Sequence, residues 1–154
     1  MLRSTCRLVA LAVAATAFAH AQDRAAIEKA VLETSAQMTR AAENLDVDGL
    51  FSFMLPNDRG SIVQYGNVFQ TREQALAQTR ESFRGVRSIE YRWKRQQVTV
   101  ISPTVALLVS EGEAQLTTEQ GASFSRSFAQ SLVFVLTDGH WKVLHAHQSA
   151  PLNR

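Results

Sequence analysis

The stretch Asp138-Gly139-His140-Trp141-Lys142-Val143-Leu144-His145-Ala146-His147-Gln148-Ser149-Ala150-Pro151 decides the architecture. Asp138-Gly139 is a turn dipeptide that accepts positive φ at both positions, so it joins two antiparallel strands. The residues after it alternate. Strict alternation puts Trp141, Val143, His145 and His147 on one face of a strand. Two imidazoles on one face, near a strand's end, point to the mouth of a pocket. A bulge within the strand would reset that parity.

Working outward, residues 123–137 form the preceding strand. Phe124, Phe128, Leu132, Phe134 and Leu136 fall on one face, with Ser123, Ser125, Ser127 and Ser131 mostly on the other. Glu119-Gln120-Gly121 turns the chain back to a strand over 105–118, and Ser102-Pro103-Thr104 turns it into a strand that begins at Val86. In that strand Ile89, Tyr91 and Trp93 alternate, after which the apolar parity switches to Val98 and Val100. One extra residue within 94–97 explains the switch.

The first half of the chain reads differently. Ile27, Ala30, Val31, Thr34, Met38, Ala41 and Leu45 recur at helical spacing, which predicts a helix over 23–44 with Asp23 as N-cap. Asp46-Val47-Asp48 caps a short helix holding Leu50, Phe51, Phe53 and Met54, and Pro56 ends it. Residues 61–65 and 68–70 form a hairpin around Gly66-Asn67. Thr71-Arg72-Glu73-Gln74 is a capping box opening a helix to about Arg84, with Gly85 as its C′ residue. Helices grouped before a meander imply an α+β fold, with N-terminal helices packed on a curved antiparallel sheet. Such a sheet leaves a cone with one open end, where a small-molecule pocket forms.

The N-terminus has the order of an export signal. Arg3 and Arg7 precede an apolar run over 8–18, and Ala19-His20-Ala21 fits the small-x-small cleavage rule. Residues 1–21 are therefore expected to be a signal peptide and 22–154 a single domain, exported to the periplasm or secreted. The run is too short to span a bilayer, so no membrane partner is expected. Cleavage removes Cys6, the single cysteine, and with it any disulfide, thiolate nucleophile or cysteine-based metal site. It also removes Arg3 and Arg7, which takes the formal charge from +2 to zero and leaves no electrostatic case for nucleic acid. No serine–histidine–aspartate spacing, phosphate-cradling glycine loop or dinucleotide fingerprint is present. No cofactor is expected.

The order of elements and the final motif resemble the nuclear-transport-factor-2-like superfamily, also called SnoaL-like or cystatin-like. The residues that carry the resemblance are the opening helix followed by Asn44-Leu45-Asp46-Val47-Asp48-Gly49-Leu50, the hairpin from Gly66 to Thr71, and the tail from Asp138 to Ser149. The tail is closest to the association domain of calcium/calmodulin-dependent protein kinase II and its stand-alone bacterial relatives, which end in Gly-x-Trp-x-x-x-His-x-His-x-Ser. The resemblance implies a cone-shaped cystatin-like fold, a cavity in the cone and a homodimer through the outer sheet face. The chain departs from the kinase group where basic residues line that cavity. Gln148 and Leu132 stand at such positions here.

Several residues are candidates for chemistry. His145 and His147 are open to three readings: general acid or base, a metal pair completed by Glu111 or Glu113, or structural groups bonded to neighbouring strands or a partner chain. No metal is assigned. Tyr65, Tyr91 and Trp93 are candidate ligand contacts, because such cavities are lined with aromatic residues. Arg126, among apolar same-face neighbours, is a candidate anchor for a ligand carboxylate or a cross-strand partner of Glu111 or Glu113. Asp58 is a turn former or, as the resemblance implies, a base at the rim of the cavity. Arg84, Arg87, Arg92, Lys94 and Arg95 form a solvated face.

Three functions follow. The first is an exported, dimeric protein that binds an apolar or amphipathic small molecule in the cone. The second is a cofactor-free isomerase or dehydratase using His145 or His147. The third is an assembly module without a ligand. Whether the chain is an enzyme is left open by the sequence.

Overall fold

A computed structural model of the protein describes residues 5–56, 62–64 and 66–151, with side chains from residue 23 onward. The elements in chain order are α1 (Thr5–Glu43), α2 (Val47–Ser52), β1 (Ile62–Gln64), β2 (Asn67–Phe69), α3 (Arg72–Ser82), β3 (Val86–Ser102), β4 (Val105–Thr118), β5 (Ser123–Thr137) and β6 (His140–Ser149). The six strands form one sheet in the order β2-β1-β6-β5-β4-β3. All neighbours are antiparallel except β1 and β6, which run parallel. The four long strands are antiparallel, as the sequence predicts, and the short β1 makes the sheet mixed. The helices pack on one face of this curved sheet.

Local signals account for most element ends. Asp46 caps α2 by accepting the Gly49 N–H at 2.8 Å. Gly49 leaves room for this cap, because a Cβ would meet the Asp46 carboxylate at 2.1 Å and push it aside. The capping box of α3 is present in both directions. Thr71 Oγ1 accepts from the Gln74 N–H at 3.1 Å, and Gln74 Oε1 accepts from the Thr71 N–H at 3.3 Å. Between β5 and β6, Asp138 (φ 52°) and Gly139 (φ 76°) both take positive φ, the geometry that matches strand twist in a two-residue hairpin loop. One boundary differs. The alanine-rich run before Asp23 has strong helix propensity, and α1 continues through it from Thr5, so Asp23 lies inside the helix and caps nothing.

The core lies between α1 and the sheet. Val31 and Met38 of α1 meet Leu108, Leu132, Phe134, Trp141 and Val143. Phe134, Leu108 and Val31 are fully buried, each contributing about 1.5–3 kcal/mol of apolar transfer. Polar contacts then fix α1 along β3, the edge strand. Glu43 Oε1 accepts the Tyr91 N–H at 2.9 Å, and an Arg24 N–H donates to the Val100 carbonyl at 3.3 Å. These contacts occupy main-chain groups that an edge strand otherwise leaves unpaired. A smaller cluster of Val47, Phe51 and Ala75 joins α2 to α3, and the Arg72 guanidinium clamps it by donating twice to the Phe51 carbonyl at 3.0 and 2.9 Å.

Two bulges set which side chains face the helices. In β3 the register slips between Trp93 and Arg95, in the segment where the parity switch predicts it. In β6 it slips at Leu144, so that Phe134 opposes Val143 while Val133 opposes His145.

Candidate functional site

The inward face of the sheet is a set of cross-strand rows. Val100, Ala106, Phe134 and Val143 form one, and Val98, Leu108, Leu132 and Ala146 the next. Both are apolar and pack under α1. The third row is polar from end to end: Gln96, Ser110, Gln130, Gln148 and Gln64, one from each of five strands. Beyond it Trp93, Gly112 and Phe128 align, followed by Tyr91, Ala114 and Arg126.

A hollow of about 160 Å³ lies between this face and the helices. Its roof is Ser35, Met38, Thr39 and Ala42 of α1, Leu50 and Phe51 of α2, and Thr79 with Phe83 from α3 and its C-terminal cap. Met54, Ile62, Leu132 and Ala146 add apolar wall. Gln64, Gln130 and Gln148 supply the polar part, and Tyr91 and Trp93 an aromatic edge. The aromatic edge is rigid. Tyr91 stacks on Trp93 with centroids 6.0 Å apart, and Phe128 packs edge-on against both at 5.8 and 5.4 Å. Gly112 makes room for the indole, since a Cβ there would lie 3.1 Å from Trp93 Cε3.

Hydrogen bonding decides which polar groups can serve a ligand. The hydroxyls of Thr39 and Thr79 donate to carbonyls one turn back in their own helices, at 3.1 and 2.9 Å. Gln64 Nε2 donates to Gln148 Oε1 at 2.6 Å, and Gln96 Nε2 donates to Ser35 Oγ at 3.4 Å. Ser110 is 2% exposed, and its Oγ has no hydrogen-bond partner among the described residues. The belt thus joins amides and hydroxyls. Among the described residues no aspartate, glutamate, lysine or arginine lines the hollow.

The expected site residues distribute as follows. Tyr91 and Trp93 stand in the wall. Tyr65 and Asp58 lie outside the described residues. His145 and His147 are turned by the Leu144 bulge to the outer face, opposite Val133 and Ser131. The expectation that they share a face with Trp141 and Val143 is corrected by this one inserted residue. His147 borders the hollow between Ala146 and Gln148, but alternation sends its ring outward and leaves its main chain in the wall. Arg126 faces inward, is exposed and lies two rows past the belt, outside the lining. Glu111 and Glu113 have the opposite parity, so they do not meet Arg126. Glu111 pairs with Arg95 at 3.8 Å, and Glu113 accepts the Ser125 hydroxyl. The described residues include no group of three histidine, cysteine, aspartate or glutamate side chains able to hold a metal ion.

The glutamine belt is the feature that sequence reasoning missed. Its signal was present: Gln96, Gln130 and Gln148 share parity with Val98, Leu132 and Ala146 once each bulge is counted.

Comparison with known proteins agrees with this geometry. The SnoaL-like domain family matches residues 31–153. No curated protein sequence matches the chain. Among solved structures, a candidate calcium/calmodulin-dependent protein kinase II association domain from Xanthomonas campestris has a TM-score of 0.71 at 16% identity, covering 80% of this chain and 87% of that one. A candidate scytalone dehydratase from Novosphingobium aromaticivorans has a TM-score of 0.77 at 10% identity, with coverages of 86% and 89%. A nuclear-transport-factor-2-like protein from Salmonella enterica has a TM-score of 0.75 at 10% identity, with coverages of 84% and 94%. At these identities the likeness is one of fold. With the helices, the curved sheet and the family match in agreement, the chain belongs to the SnoaL-like domain family.

Proposed function

We propose that this protein binds a small, neutral, amphipathic molecule in the hollow under α1. The observation that carries this reading is the hollow's composition: apolar and aromatic walls around one patch of uncharged amides. Pockets for small molecules share that make-up, a mostly apolar lining with a few placed polar groups. Its size matches a single-ring ligand, since a cavity of about 150 Å³ accommodates benzene.

The isomerase or dehydratase reading draws on the scytalone dehydratase likeness. Among the described residues it finds no carboxylate or lysine in the lining, and the rings of His145 and His147 face outward. Binding is therefore the reading we adopt.

Export and dimerisation complete the proposal. The ordered charge, apolar and small-residue run of residues 1–21 supports cleavage before Gln22. Val109, 45% exposed on the outer face, with Leu107 on its own strand and Val133 on the next, supports a homodimer through that face. Fractionation with N-terminal sequencing tests the first, with Gln22 as the expected start and an uncleaved chain as the contrary result. Light scattering of wild type and Val109→Glu tests the second, a monomeric wild type being the contrary result.

Binding itself is tested by calorimetric titration with toluene. The wild type is expected to bind, and Ala42→Phe, which fills the hollow from α1, is expected not to. Equal heats in both proteins would place the binding elsewhere and end the proposal.

A further inference from the structure

We infer that the glutamine belt selects ligands that carry a neutral hydrogen-bond donor and acceptor side by side, the edge of a lactam or carboxamide. This rests on the small-molecule reading above and names the ligand class for the same hollow.

Each glutamine amide has one carbonyl and one NH₂ group. Gln64 and Gln148 share one hydrogen bond of 2.6 Å, and both line the hollow. Whichever of the two donates, the pair keeps one carbonyl and one NH₂ group not used between them. Those groups belong to side chains of paired residues on adjacent strands. A cyclic amide presents its N–H and C=O on one edge and satisfies both together. A ketone offers an acceptor alone and leaves the glutamine carbonyl unmatched. A carboxylate offers acceptors alone and brings a charge that no described lining side chain offsets.

The rest of the row points the same way. Five strands each place a polar residue in this row, next to rows that are apolar. Even half-buried, as the four glutamines are, amides cost some desolvation that valine or leucine would avoid. The Ser110 hydroxyl, buried beside Gln130 without a partner among the described residues, adds to that cost. Packing alone does not account for such a row, whereas recognition of a polar ligand edge does.

The test titrates the full chain with four single-ring probes: toluene, cyclohexanone, δ-valerolactam and benzoate. Wild type is expected to bind δ-valerolactam about tenfold more tightly than cyclohexanone, the difference made by one added buried hydrogen bond, and benzoate most weakly. Gln148→Leu is expected to erase the lactam preference while toluene affinity changes by less than about twofold, because the apolar wall is intact. Gln64→Leu gives the same readout from the other half of the pair should the first variant fail to fold. Equal lactam and ketone affinities in wild type, or a preference that survives both substitutions, would overturn the belt's role while leaving the hollow a binding site. Failure of wild type to bind toluene would overturn both.

Discussion

Replacing Gly112 with alanine probes how the aromatic edge of the hollow is held. The new Cβ would lie 2.8 Å from the Arg92 carbonyl oxygen and 3.1 Å from Trp93 Cε3. The first contact is with main chain, so no side-chain rotation relieves it. Either β3 shifts away from β4 or the indole swings out. Both moves disturb the Trp93–Phe128 packing at 5.4 Å and the Tyr91–Trp93 stack at 6.0 Å. Overpacking costs about 1–3 kcal/mol, and each weakened ring pair adds about 0.5–1.5 kcal/mol. A loss of about 2–6 kcal/mol is expected, a large part of the stability of an ordinary domain. Urea unfolding measures it as a lower midpoint at unchanged slope. Trp93 and Trp141 are the chain's two tryptophans, so in a Trp141→Phe background the emission reports Trp93 alone and should shift to the red. Stability within about 0.5 kcal/mol of that background, with unshifted emission, would refute the placement of the indole over Gly112.

Other substitutions separate the remaining interactions. Gly49→Ala displaces the Asp46 carboxylate from its cap and should cost about 1 kcal/mol in urea unfolding. Ser110→Ala removes a buried hydroxyl that has no partner among the described residues, so stability should hold or rise by about 1–3 kcal/mol, and a clear loss would mean the hydroxyl is satisfied. Leu132→Ala should cost about 2–5 kcal/mol and widen the hollow, so that two-ring probes bind where the wild type excludes them.

Most elements of this fold were legible because their signals are local. The capping box at Thr71 and Gln74, the Asp138-Gly139 turn and the phenylalanine face of β5 each depend on residues within one turn or one strand. The bulge of β3 was legible because large residues flank it, Trp93 on one side and Val98 on the other. The bulge of β6 was not, because the residue that resumes the inward face is Ala146, too small to mark a core position by itself. That one residue decides that His145 and His147 face outward. The parallel pairing of β1 with β6 depends on contacts more than 80 residues apart in sequence. The glutamine belt was hidden for the same reason: each glutamine alone resembles a solvent position, and only the registers of five strands assemble them.

The central claim is that a neutral ligand occupies the hollow between α1 and the sheet. The most direct measurement is the chemical-shift response of the side-chain amides to δ-valerolactam. The account predicts that the Gln64, Gln130 and Gln148 amides and the Met38 and Met54 methyls, all in the lining, move together and saturate. Shifts confined to His145, His147 and their outer-face neighbours, or none at any concentration, would contradict it.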